Sequence, residues 1–323
     1  MPPRPHRPAV LARQVFRGSD VIARNLLTEH QLRSSAWVRL RHDVYADARL
    51  ERDHGLACRA AALRLPAGVW IAGPSAAYLH GVEHAASFTD DVHVLVPGHR
   101  RIGAQQGIRL HVTGAPGTLA TPATGHAVTG APGTLATPAT GQAGARAPAL
   151  ARTSPERAAW ETAAWLDPVR AIGIIDALLG RGLTTPAALM ATAEQHLGRP
   201  GSRRAAWLFG LADGGAQSAP ESHLRLRLVL AGLPRPVTQH PVRLPCGRVV
   251  HPDLAWPEHR VAVEYDGQWH AEADRLHVDR ARLNGLVAAG WLVLHVTSRR
   301  LHRDFPGVLR EVRIALAARG WRR

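Results

Sequence analysis

The segment VTGAPGTLATPATG at 112–125 returns unchanged at 128–141. Gly, Pro, Ala and Thr make up nearly all of it, and such residues bring little bulky apolar surface to offset the entropy of ordering a chain. Two identical copies are also too few for a stacked repeat fold, which needs about three units to bury a continuous core. Residues 114–148 are therefore expected to be a linker inside a tolerant loop, and the chain must be read as separate parts on either side of it. A length of 323 residues leaves room for roughly two or three domains.

The part before the linker divides again. In residues 1–59, apolar Val21, Leu26, Leu27 and Leu32 precede Trp37-Val38-Arg39-Leu40-Arg41, which alternates toward Val44 and Tyr45. Thr28 followed by Gln31 offers a capping box, with the hydroxyl accepting from the backbone and Gln31 reaching back. Helix, turn, helix and basic strand is the order of a winged helix, and also of a helical hairpin docking on its neighbour. Residues 60–113 read as a small α/β segment. An apolar run at Val69 to Ala72 is followed by a brief helix, Ser75 to Leu79, stopped by Gly81. Strands are expected at Val92 to Val96 and Ile108 to Val112. No catalytic set converges there.

After the linker, residues 149–214 read as a helical spacer. Thr153-Ser154-Pro155-Glu156, Asp167-Pro168 and Thr185-Pro186 each open a helix, and Gly180, Gly198 and Gly214 sit where helices stop. From residue 215 the pattern changes. Ser218-Ala219-Pro220-Glu221 starts a helix ending at Gly232. Strands are expected at Val237 to Leu244, Val249 to Leu254 and Arg260 to Tyr265, with a turn at Pro257-Glu258-His259. A helix from about Arg275 to Ala289, a strand from Trp291 to Thr297 and a last helix from Phe305 to Arg319 complete the order α-β-β-β-α-β-α.

Strand parity places the carboxylates. Val249, His251 and Asp253 share one face of the second strand; Ala262, Glu264 and Asp266 share one face of the third. A hairpin centred on Glu258-His259 sets Asp253 opposite Glu264. Two like charges about 5 Å apart repel unless a cation lies between them, and Mg²⁺ or Mn²⁺ binds through such a pair plus waters and phosphate. A register slip of one residue would send Glu264 to the other face.

Charge points the same way. The formal net charge is +15, and with no lysine in the sequence it is carried by arginine. A GC-rich genome explains arginine over lysine, but not the excess of bases over acids. Phosphate backbones suit such an excess, so on charge a nucleic acid is favoured as partner over a merely basic soluble protein. The longest uncharged apolar run, Leu283 to Val296, is interrupted by Gly290 and too short to span a bilayer, so no membrane association is expected. The N-terminus MPPRPHRPAV lacks the apolar core of a signal peptide, and Cys58 and Cys246 stand far apart. A cytoplasmic protein is expected.

Two resemblances extend this reading. HPDLAWPEHRVAVEYDGQWH, followed by Asp279-Arg280 and AGWLVLHVT, resembles an endonuclease-like bacterial domain grouped with the very-short-patch-repair (Vsr-like) enzymes of the PD-(D/E)xK class. The similarity covers about 218–319. It implies that Asp253 and Glu264 are metal ligands, that Asp266 and His270 line the same site, and that Glu221 approaches from the first helix. LLTEHQLRSSAWVRLRHDVYAD resembles the winged-helix domain of abortive-infection-type antitoxins. That likeness implies that Gln31, Arg33 and Ser34 face DNA, with Arg39 and Arg41 on its phosphates.

The pattern departs from the nuclease class at one place. The lysine of the motif is Asp266 here, and no lysine exists to replace it. Either His270 orients the attacking water, or the metal alone lowers the water's pKa, or the site only binds. Glu221 also completes a Ser-x-x-Glu capping box with Ser218, and Asp279 can serve its own helix or pair with Arg275 or Arg282. Trp269 and Trp291 read as core residues. The expected architecture is α+β and multidomain: a winged-helix-like unit (1–59), a small α/β segment (60–113), a linker (114–148), a helical spacer (149–214) and a PD-(D/E)xK nuclease-like α/β domain (215–323). The expected function is a metal-dependent DNA endonuclease that attacks a phosphodiester with a metal-activated water. The alternative is a non-catalytic DNA-binding regulator, antitoxin-like, on a degenerate nuclease fold.

Overall fold

A computed structural model describes residues 5–113, 150–267 and 273–322, with side chains of the later helix described from residue 281. The linker at 114–148, His270 and the side chain of Asp279 lie outside the described residues. The chain is α+β and falls into two compact units, Met1–Ser154 and Pro155–Arg323. No described helix is long and apolar enough to cross a membrane.

The first unit begins with β1 (Val15–Arg17), α1 (Gly18–Ala23), α2 (Glu29–Leu32), β2 (Trp37–Arg41) and β3 (Val44–Asp47). The strands form an antiparallel sheet in the order β1-β3-β2. The two helices are short, and the expected Thr28–Gln31 capping box closes the second. Leu11, Phe16, Val21, Leu27, Leu32 and Trp37 bury together, with Phe16 and Trp37 meeting edge to face at 5.2 Å. Strand β1 was not expected from the sequence; its three residues are too few to show a period. Next come α3 (His54–Ala62), β4 (Trp70–Ile71), α4 (Gly73–Leu79), β5 (Val92–Pro97) and β6 (Ile108–Thr113). Strand β5 lies between antiparallel β4 and parallel β6.

The second unit opens with helices α5 (Pro155–Trp165), α6 (Pro168–Gly180), α7 (Pro186–Gln195) and α8 (Ser202–Leu211), followed by α9 (Ala219–Leu230). Asp167, Thr185 and Ser218 cap α6, α7 and α9 through their side chains. A fully buried ion pair ties α6 to α9: Arg225 Nη2 donates to Asp176 Oδ2 at 2.7 Å, and the Asp213 backbone N–H satisfies Oδ1 at 2.8 Å.

Beyond α9 lie β7 (Val237–Thr238), β8 (Val242–Arg243), β9 (Val249–Val250), β10 (Leu254–Trp256), β11 (Val261–Asp266), α10 (Ala273–Ala288), β12 (Leu292–Thr297), α11 (Ser298–Arg303) and α12 (Phe305–Ala318). The main sheet runs β12-β11-β10-β7, with β11 parallel to β12 and antiparallel to β10. Two expected strands are broken here. Gln239 takes a left-handed φ of 50° and Pro241 follows, so the expected strand 237–244 becomes β7 and β8. Pro252, without an N–H to donate, splits the expected strand 249–254 into β9 and β10. The outer pieces pair as a separate hairpin, Val242 opposite Val250, while β7 and β10 join the main sheet. The sequence reading also missed α11, which Thr297 caps by accepting from the Arg300 N–H.

The main sheet is covered on both faces. Leu254, Trp256, Val261 and Val263 pack with Leu224 and Leu228 of α9 and Val308 and Val312 of α12. Ala255 and Ala262 point the other way, toward Val242, Val250, Trp291 and Leu286 of α10.

Candidate functional site

The turn between β10 and β11 sets the register of the site. Pro257–His259 forms one 3₁₀ turn, and Arg260 takes a left-handed φ of 49° that turns the chain back. Leu254, Ala255 and Trp256 then face Val263, Ala262 and Val261. One step along the same register sets Asp253 beside Glu264. The two carboxylates feel each other electrostatically. Parity puts Glu264 on the face of Ala262, and Asp253 on the face of Ala255. Both therefore lie on the α10 side of the sheet, just past the apolar contacts of Ala255, Ala262 and Leu286.

Each carboxylate has distinct partners. Asp253 Oδ2 accepts the Tyr265 backbone N–H at 2.8 Å, and Oδ1 accepts from Gln239 Nε2 at 3.3 Å. Glu264 is 6% exposed. Its Oε2 accepts from Arg282 Nη1 at 3.2 Å, and Arg282 Nη2 stands 3.1 Å from Oε1 while donating to the His251 carbonyl at 2.6 Å. Despite that ion contact, Oε1 is buried without a hydrogen bond, because the approach is poorly aligned. Burial pushes the Glu264 carboxyl up to about 7; Arg282 opposes the rise and Asp253 adds to it. Burial also raises Asp253, against the Tyr265 hydrogen bond and the charge of Arg282.

The remaining sequence candidates divide. Glu221 is buried, and both its oxygens serve the start of α9: Oε1 accepts from Ser218 Oγ at 2.7 Å and Oε2 from the Gln217 N–H at 2.9 Å. Burial, then the nearby Asp253 charge, raises its pKa, so it borders the pair while acting as a cap. Asp266 is half-exposed at the end of β11 and meets His295 Nδ1 of β12 at 3.0 Å. Asp253 feels its charge. His270 falls outside the described residues. Trp291 is core, as expected.

Sequence reasoning missed Arg282, Gln239 and His295 as neighbours of these acids. A signal for Arg282 existed. It precedes Leu286 by four residues, and a core Leu puts the residue one turn earlier on the same buried helix face. In this structure the positive charge beside the acids is the Arg282 guanidinium, which contacts Glu264 and whose charge Asp253 also feels.

Among the described residues, no group of three His, Cys, Asp or Glu side chains is placed to hold a metal ion. The donor chemistry nonetheless fits Mg²⁺, which takes hard oxygen ligands from one or two carboxylates and completes its shell with water. Asp253 and Glu264 offer such oxygens, and Glu264 Oε1 has no hydrogen bond to lose.

In the first unit, Arg33 and Arg39 are exposed, and Arg33 lies 3.8 Å from an equally exposed Glu29. Gln31 uses its Oε1 in the α2 cap, accepting from the Thr28 N–H at 2.8 Å. The Ser34 hydroxyl is buried without a partner, and so is turned away from solvent. Arg41 donates to the carbonyls of Gln106 at 2.5 Å and Gly107 at 3.0 Å, and burial pushes its pKa down. Of these five residues, Arg33 and Arg39 present their charge to solvent.

The geometry thus defines an α+β chain in which a buried and a half-buried carboxylate, partly neutralised by an arginine, stand side by side at one end of the two central strands of the main sheet. Two proteins of Mycobacterium tuberculosis, "Uncharacterized protein Rv2248" and "Uncharacterized protein MT2308", are each 34% identical to it over 158 residues, which is 49% of this chain and 58% of theirs. The chain therefore spans less than two thirds of the length of these curated relatives. No protein-family model matches the chain. No solved structure matches it either.

Proposed function

We propose that the second unit is a Mg²⁺- or Mn²⁺-dependent DNA endonuclease centred on Asp253 and Glu264. The observation that carries this reading is the register of β10 and β11, which brings the buried Glu264 and the half-buried Asp253 side by side on the α10 face. Buried acids are seldom placed side by side for stability, because each raises the cost of charging the other. The order of α9, β7, β10, β11, α10 and β12 is that expected of a PD-(D/E)xK core, and the excess of arginine suits a phosphate-rich substrate. When bound, Mg²⁺ would supply Lewis acidity at the scissile phosphate and lower the pKa of the attacking water. Asp253 and Glu264 would hold it, and Tyr265 and Gln239 orient Asp253. Asp266, at the exposed end of β11, and His295, on the neighbouring β12, pair at the rim of the site.

The exposed Arg33 and Arg39 of the first unit would add phosphate contacts, as a winged-helix element does. A plasmid-nicking assay with Mg²⁺ or Mn²⁺, run beside Asp253→Ala and Glu264→Gln, tests the reading. Nicking by the wild type that both variants lose is expected. Equal nicking by all three would place the activity elsewhere, in a contaminant or another site.

Two observations favour a second reading, a DNA-binding regulator on the same fold. Asp266 stands where the lysine is expected, and a guanidinium already contacts Glu264. DNA binding that needs no metal and leads to no cleavage would decide for it.

A further inference from the structure

We propose that Arg282 is a built-in placeholder cation, which neutralises Glu264 in the metal-free protein and is displaced from it when a divalent metal binds. The inference rests on the reading that Asp253 and Glu264 take a divalent cation. It goes beyond that reading by assigning a competing role to a residue of the chain itself.

The same unit contains a permanent arginine–carboxylate pair for comparison. Arg225 and Asp176 are both fully buried, their hydrogen bond is 2.7 Å, and the Asp213 N–H satisfies the other carboxylate oxygen. Neither oxygen of that carboxylate is left without a hydrogen bond. The carboxylate of the Arg282–Glu264 pair is held differently. Its hydrogen bond is long, at 3.2 Å, and its second contact, to Oε1, is not a hydrogen bond at all. An aligned guanidinium–carboxylate fork would make two parallel bonds near 2.8 Å. Glu264 therefore keeps unused acceptor capacity on an oxygen that water does not reach.

The arginine, by contrast, has somewhere to go. Its side chain is 31% exposed, against 8% for Glu264. Its shortest bond, 2.6 Å, is to the His251 carbonyl. That bond involves no carboxylate, so it can keep the side chain at the rim of the site after Glu264 is released. The placeholder also answers a problem of the metal-free state. Without a cation, Asp253 and Glu264 would face each other with nothing between them, at a cost to the β10–β11 pairing. A divalent ion must then outcompete a charge already present, and apparent affinity falls by the cost of moving that charge aside.

The experiment uses the full chain, with Mn²⁺ titrated by calorimetry into wild type, Arg282→Gln and the apolar, similarly long Arg282→Met. Both neutral variants should bind Mn²⁺ at least about tenfold more tightly, because a fixed positive charge close to the ion has gone. Both should also melt lower than wild type in chelator, and gain more melting temperature from Mn²⁺. Wild-type protein supplies a readout that needs no variant to fold well: saturating Mg²⁺ should shift the Arg282 Nε–H resonance as its Glu264 contact breaks. Unchanged or weaker Mn²⁺ binding in both variants, or an Arg282 resonance indifferent to Mg²⁺, would overturn the proposal. Nicking by wild type together with unchanged variant affinities would remove the placeholder and keep the nuclease. Tighter Mn²⁺ binding in the variants with no nicking by any protein would keep the placeholder and remove the nuclease. A site that takes up no Mn²⁺ in any of the three proteins sinks both.

Discussion

Asp253 Oδ2 accepts the Tyr265 backbone N–H at 2.8 Å, so the carboxylate beside Glu264 also holds β11 in place. Strand β10 starts only at Leu254, after Pro252. The side chain of Asp253 thus supplies an acceptor just before the strand begins. One residue carries both a structural bond and half of the charge pair, and the two roles can be separated by substitution.

Asp253→Asn keeps an oxygen for the Tyr265 N–H and removes one of the two facing charges. It should melt at or above the wild-type temperature in chelator. Asp253→Ala leaves that half-buried N–H unpaired and should cost about 1–3 kcal/mol. Urea unfolding of the two variants beside wild type distinguishes them. An Asn variant as unstable as Ala would mean that the charge of Asp253, through its attraction to Arg282, is what holds the strand pair.

The pH dependence of stability follows from Glu264. Its carboxyl is raised to about 7 in the folded protein, first by burial, and returns to an ordinary value near 4.3 when unfolded. Above the unfolded pKa the unfolded chain gives up this proton while the folded chain keeps it. Stability should therefore fall as pH rises from about 4.5 to about 7, and level off beyond, with a total on the order of 3–4 kcal/mol. Glu264→Gln should remove most of that slope and be the more stable protein near pH 8. Metal should act in the opposite sense, stabilising the wild type most at high pH, where its ligands are deprotonated. Urea midpoints across this range, with and without Mg²⁺, check both signs.

In the first unit, the arginines make separable predictions. Arg33→Ala with Arg39→Ala removes two solvent-facing charges, and should weaken DNA binding and flatten its salt slope by about two. Melting temperature should hardly change, since these side chains are exposed. Arg41→Ala should do the reverse, lowering stability through the lost bonds to Gln106 and Gly107 with little effect on the salt slope. Fluorescence anisotropy with a labelled duplex at several salt concentrations measures the first effect and thermal melting the second. An unchanged salt slope in the Arg33/Arg39 variant would remove the first unit from DNA binding.

Much of the second unit was legible because it rests on short-range rules. Thr185 and Ser218 cap helices that the sequence already punctuates, and Gly232 ends α9 with a φ of 84° that favours glycine. The hairpin turn at 257–259 lies where Pro257 and the flanking apolar runs put it, and period two then carried Asp253 to Glu264. The broken strands were not legible. A left-handed Gln239 is a choice made by its neighbours, among them the Asp253 carboxylate that its side chain contacts.

The sequence by itself determined where helices begin and end, which strand residues share a face, and that two acids meet across one hairpin, because these depend on dihedral preferences and on neighbours a few residues away. Tertiary structure alone decided which charge answers those acids. Arg282 and Glu264 are 18 residues apart in the chain, on a helix and a strand whose separate periods are readable but whose mutual rotation is not. That rotation is set by how Leu286 of α10 packs with Ala255 and Ala262 of the sheet. Burial of apolar side chains has no direction along the sequence, so the partner of a buried charge is known only once the layers have closed.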